Sequence, residues 1–137
     1  MSKYLALFAL ILALPCVAQE RFPSGELKGF MMSPTENIII HLDGPITVSA
    51  VQGTIMLSVH KDALEGVIFE IRGPGSSERV RAAKSDNKGH VEISHVRQGT
   101  YTFKATKDGF QSVVGTLIVS KKADRQSTVK IEMPLGV

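Results

Sequence analysis

The 137-residue chain has no tryptophan, a single cysteine (Cys16) and only 6% aromatic residues. A lone cysteine excludes a disulfide framework within the chain and a zinc site built on thiolates. The scarcity of aromatics argues against the stacked-ring platform usual in oligosaccharide binding. No serine lies in a Gly-x-Ser-x-Gly elbow, which removes the commonest signature of a serine hydrolase. With Gly 12 and Pro 6 the chain is not low-complexity, and 43% hydrophobic residues are too many for a disordered chain. What remains is one globular domain, or one domain plus a tail.

The N-terminus reads as a targeting signal. Lys3 precedes the apolar stretch 4–17, and Cys16-Val17-Ala18 places small residues before Gln19, the pattern a signal peptidase recognises. The stretch is shorter than the ~20 residues of a spanning helix, and Gln19, Glu20 and Arg21 follow at once. Pro15 stands where a lipobox needs a small residue, so Cys16 is not read as a lipid anchor. Cleavage between Ala18 and Gln19 leaves 119 residues without cysteine, to be secreted or held in a periplasm with no stable membrane insertion. A domain of that size buries roughly two thirds of its unfolded surface, so it stands on its core alone.

Residues 19–35 mix Gly, Pro and Ser without a sustained period and read as an irregular lead-in. Residues 36–137 carry strands and turns, with no convincing helical stripe. Val129, Ile131 and Met133 alternate with Lys130 and Glu132; Tyr101, Phe103 and Ala105 with Thr102, Lys104 and Thr106; Val67, Phe69 and Ile71 with Glu70 and Arg72. Val80 and Ala82 alternate with Arg79 and Arg81, which places those arginines outward. The run 113–119 is apolar on both faces and belongs inside a sheet. Further strands are expected at 38–40 and 46–59, around Asp43-Gly44-Pro45. Asp86-Asn87-Lys88-Gly89 reads as a hairpin turn with a left-handed glycine, and Lys107-Asp108-Gly109 as another tight turn. Seven or eight strands without a helix make an all-β sandwich.

The turn positions also spell an ordered pattern: Val51-Gln52-Gly53-Thr54-Ile55, Leu64-Glu65-Gly66-Val67-Ile68-Phe69, Ser85 to Gly89, Gly99-Thr100-Tyr101-Thr102-Phe103, and Asp108-Gly109-Phe110. It resembles the carboxypeptidase regulatory-like domain, a prealbumin-like (transthyretin-like) sandwich, over roughly residues 50–137. The resemblance implies an antiparallel Greek-key, Ig-like sandwich and a non-catalytic role. The zinc peptidase often joined to such domains has no counterpart here, since no His-x-x-Glu occurs. Prealbumin-like hydrolases of the urate pathway end in Tyr-Arg-Gly-Ser, whereas this chain ends Pro134-Leu135-Gly136-Val137. Pilin-type isopeptide bonds need an asparagine on the last strand, and 128–133 has none.

His41, His60, His90 and His95 show no metal-ligand spacing, and Asp86-Asn87 offers one carboxylate where calcium needs ~6–8 oxygens. No metal or cofactor is expected. Charge is more informative: residues 19–71 carry a net −4 and residues 72–107 a net +5. Arg79, Arg81 and Lys104, all placed outward by alternation, are the candidate basic face for an anionic macromolecule. Phe110 is the candidate aromatic for a polysaccharide, with Phe22 and Phe30 the other aromatics not assigned inward. Nucleic acid is not an expected partner of an exported protein. The resulting reading is an exported, non-enzymatic binding or structural module, with a carbohydrate-binding module second. A small hydrolase comes third, and needs His90 or His95 to converge with a carboxylate and a nucleophile.

Overall fold

Period-two alternation of apolar and polar residues builds nine strands in two sheets. They are β1 (Ile39–His41), β2 (Ile46–Val48), β3 (Val51–Leu57), β4 (Ile68–Arg72), β5 (Arg81–Lys84), β6 (His90–Ile93), β7 (Gly99–Thr106), β8 (Ser112–Val119) and β9 (Val129–Met133). The computed structural model describes residues 27–34, 36, 38–73 and 79–136. The apolar N-terminal stretch, the cleavage position at Ala18 and Gln19, Phe22, and Ser76-Ser77 lie outside the described residues. Among the described residues, no helix is long and apolar enough to cross a membrane.

The larger sheet runs β1-β8-β7-β4-β5, with β2 also paired to β8; the smaller runs β6-β3-β9. The core lies between them, with Phe69, Ile71, Phe103, Val113 and Leu117 facing Ile55, Val91, Val129, Ile131 and Met133. The Phe69 and Phe103 rings, centroids 5.7 Å apart and tilted by 34°, fill its centre. Tyr101 packs against the core, and its hydroxyl donates to the Arg97 carbonyl at 2.7 Å. β8 lies inside the sheet, as its composition requires, with β7 on one side and β1 and β2 on the other, and Val113 and Val114 are buried on its two faces.

The strands of the two sheets depart from the sequence reading in two ways. The run 46–59 is not one strand: the chain leaves the larger sheet at Ser49-Ala50, so β2 pairs β8 while β3 enters the smaller sheet, giving nine strands rather than seven or eight. The ladders are also not uniformly antiparallel. β1–β8, β2–β8 and β3–β9 are parallel, each joining strands distant in sequence. Gly53 permits the last of these, since a Cβ there would sit 1.8 Å from the Val129 carbonyl oxygen.

The turn at 86–89 is present, but the strands it joins lie in different sheets. It is a corner between β5 and β6, not the end of a ladder. Gly89 N–H donates to the Asp86 carbonyl at 2.9 Å, and Asp86 Oδ1 accepts from the Lys88 and His90 amides, both at 2.9 Å. Those amides hold the Asp86 carboxyl below the usual carboxylate range. Gly89 has φ +74°, and a Cβ there would meet the Ile55 carbonyl oxygen at 2.4 Å. Gly89→Val therefore combines backbone strain of about 1–3 kcal/mol with that clash, and is expected to lower the urea midpoint strongly. Lys88→Ala, on the exposed tip, is expected to shift stability by less than ~0.5 kcal/mol in the same melts.

Candidate functional site

Strand parity turns Glu70 and Arg72 of β4, Lys104 and Thr106 of β7 and Ser112 of β8 away from the core. Glu70 lies opposite Lys104 and Arg72 opposite Thr102 in the ladder. Charged and hydroxyl groups on an outer sheet face ordinarily meet water. Here they are 6%, 7%, 1%, 2% and 0% exposed, respectively. They are covered by residues 27–34 and Glu36, a strap with no helix or strand laid across β4, β7 and β8.

The strap is held by polar groups of the sheet. The Met31 amide donates to both Glu70 carboxylate oxygens, at 2.9 and 3.2 Å. Arg72 donates to the Lys28 carbonyl, and its guanidinium lies 4.8 Å from the Phe30 ring centroid. Ser33 Oγ donates to Asp108 at 3.0 Å. Glu36 receives Lys104 Nζ at 2.8 and 3.0 Å on its two oxygens, and the Ser112 hydroxyl on one of them. Both the Lys104 and Glu36 side chains are 2% exposed, so this is a buried ion pair. Burial pushes the Glu70 carboxyl above the usual range; the Met31 amide and the Lys104 charge oppose that rise, and Glu36 adds to it.

The basic face expected from the sequence does not form. Lys104 is on the outward side, as its parity requires, but it is buried beneath the strap and neutralised by Glu36. Arg81 is exposed but lies opposite Ile71, on the core-facing side of the edge strand β5. A long side chain at a sheet edge can pass the core rim, and Arg81 does so to donate to the Ser94 and His95 carbonyls beyond β6. Ala83, not Ala82, packs inward. Arg79 is exposed and precedes β5. Lys104 therefore shares no exposed surface with the two arginines.

Phe110 is half-buried, packs on the core and bridges to Leu135. Phe30 is 6% exposed, and no aromatic among the described residues is exposed. His90 Nε2 lies 3.9 Å from Glu92, whose other oxygen is 3.5 Å from Ser94 Oγ. The carboxylate, not the imidazole, is therefore central, which is the wrong order for activating a hydroxyl. No group of three or more His, Cys, Asp or Glu side chains among the described residues could hold a metal ion. Sequence reasoning missed the strap site. Its signal was the three charges Glu70, Arg72 and Lys104 on one face of two strands of apolar context.

A family model, the SpaA prealbumin-like fold domain, matches residues 56–132. No curated protein sequence matches the chain. Among solved structures, a candidate carbohydrate-binding protein from Bacteroides uniformis is 14% identical with TM-score 0.49, covering 66% of this chain and 42% of its own. The major pilin subunit BcpA of Bacillus cereus is 16% identical with TM-score 0.48, covering 66% of this chain and 30% of its own. Chlorocatechol 1,2-dioxygenase from Pseudomonas putida is 12% identical with TM-score 0.43, covering 98% of this chain and 89% of its own. The chain thus spans less than half the length of the first two.

Two outcomes are expected of the buried cluster. Lys104→Met leaves the Glu36 carboxylate buried without its counter-ion and should cost about 3–5 kcal/mol, whereas Lys104→Met with Glu36→Leu should recover most of that loss in urea melts. The folded chain holds the Glu70 proton more tightly than the unfolded chain. The linked stabilisation is therefore full below the ordinary carboxyl value of 4.5 and is lost as pH rises through the elevated one. Glu70→Gln, which keeps an acceptor for the Met31 amide, should match the parent near pH ~4 and be at least as stable near pH ~7.

Proposed function

The chain belongs to the SpaA prealbumin-like fold domain family, and from that premise we propose that it is an exported, non-catalytic sandwich module that works by binding another macromolecule. Closer kinship to the carboxypeptidase regulatory-like domain is part of the proposal, supported by the ordered motifs from Val51 to Phe110. Export is supported by Lys3, the apolar stretch and the Ala18–Gln19 junction.

The observation that carries the non-catalytic reading is the state of the buried polar cluster beneath the strap. Its raised carboxyl, Glu70, bonds a backbone amide, and its amine, Lys104, is neutralised by Glu36, all under the chain's own strap. A perturbed carboxyl in an open cleft would suggest general acid chemistry. One closed over by the fold holds the fold together. For an anionic partner the cations to consider are Arg79, Lys84 and Lys107, none in an ion pair among the described residues. Lys107 Nζ and Lys84 Cε lie 3.3 and 3.8 Å from where a Cβ would sit on Gly66, so two cations approach one another at that end of the sheet.

Purified from the medium or periplasm of an exporting host, the chain should begin at Gln19. It should turn over no ester, peptide or glycoside in a substrate panel; turnover abolished by one point substitution would overturn the reading. Lys84→Glu with Lys107→Glu should elute from a polyanion column at lower salt than the parent, and unchanged retention would reject that end of the sheet as the contact.

A further inference from the structure

We propose that the outer face formed by β4, β7 and β8 is a docking site for a short turn-rich segment that presents a ring, a backbone amide and a carboxylate, filled in cis by the chain's own strap and in trans by the strap of a second copy. The inference deepens the reading of the chain as a binding module by naming the surface and its occupant.

Three observations carry it. First, the strap adds no strand to the sheet. It keeps its own turns, Phe30 N–H to Leu27 O at 3.1 Å and Glu36 N–H to Ser33 O at 3.0 Å, and meets the sheet through that sheet's side chains. Second, its departure leaves the sandwich intact. No strap residue belongs to the core cluster, and the face uncovered is mostly ionic and hydroxyl groups that water solvates readily, with Val114 its buried apolar member. Of the strap's apolar side chains, only Phe30 is buried. Third, the face reads a pattern. Arg72 takes a ring and a carbonyl, Glu70 takes a backbone N–H, and Lys104 with Ser112 takes a carboxylate. The segment carrying that ring, amide and carboxylate at Phe30, Met31 and Glu36 is present in every copy of the chain.

Exchange of the strap between two copies remakes every strap contact twice and creates no new one, so a closed two-fold dimer competes with the monomer on nearly equal terms. Tethering favours the cis arrangement in dilute solution; rising concentration favours the trans arrangement. Each partner then presents its strap to the other's Lys104.

The test uses two charge-reversed full chains, Glu36→Lys and Lys104→Glu. Neither can close its own pair, but each strap matches the other chain's face. An equimolar mixture should sediment as a one-to-one complex, with each variant alone monomeric. A mixture that sediments as monomers overturns the proposal. Because reversed charge in a buried site can unfold the chain, a second measurement uses the parent protein. Isotopically light and heavy chains are mixed and coupled with a carbodiimide, and the Lys104–Glu36 cross-linked peptide is weighed. Mixed-isotope product that grows with concentration is expected; same-isotope product alone at every concentration overturns the proposal. Both readouts are independent of polyanion retention and of turnover, so either idea can fail without the other.

Discussion

An ammonium group cannot remain charged in a protein interior without a counter-ion, and Lys104, 1% exposed, has Glu36 as its partner. Much of the molecule's distinctive arrangement follows from that pairing. Glu36 must be drawn over β7, so the segment before it must cross the sheet. The same crossing brings the Met31 amide to Glu70, the Lys28 carbonyl to Arg72 and the Ser33 hydroxyl to Asp108. A face that alternation alone would leave wet becomes an internal polar layer. The sandwich therefore has two kinds of interior: an apolar one between the sheets, and an ionic one on the back of the larger sheet.

The two interiors differ in what they contribute. The apolar layer gains roughly 25 cal/mol for each Å² removed from water and tolerates no gap. The ionic layer gains little net free energy, because desolvation of Lys104, Glu36 and Glu70 offsets much of their attraction. Its contribution is geometric, since it fixes Met31 over Glu70 and Glu36 over Lys104 and Ser112. The raised Glu70 carboxyl reflects that balance: burial outweighs both the amide it accepts and the cation beside it.

How much of this was legible depends on the range of the interaction. β9 alternates as its sequence requires, and the tight turn at 86–89 follows from Asp86 and the glycine that closes it, although the sequence reading made it a hairpin and not a corner between sheets. These are local patterns with a period or a turn chemistry behind them. The partners of Lys104 were not legible, because Glu36 lies 68 positions away and in a stretch without any period. Parity correctly turned Lys104 outward, but outward is not the same as wet. For Arg81 parity itself was misassigned: four residues of an edge strand carry too few apolar positions to fix its phase, and only the pairing with Ile71 reveals it. The break at Ser49-Ala50 was hidden for the opposite reason, since a run apolar on both sides of it gives no sign of changing sheets.

The segmented margin along β8 has its own consequence. β1 and β2 lie end to end there, three residues each, separated by Leu42-Asp43-Gly44-Pro45, with Gly44 at φ +72°. Unbroken, the isoleucines of residues 38–46 would form one straight apolar ribbon with a row of unsatisfied amides, a template on which like chains stack into fibrils. The carboxylate, the left-handed glycine and the proline without an amide interrupt that ribbon after three residues. An incoming chain meets only two three-residue ladders along this margin, a short template for edge pairing.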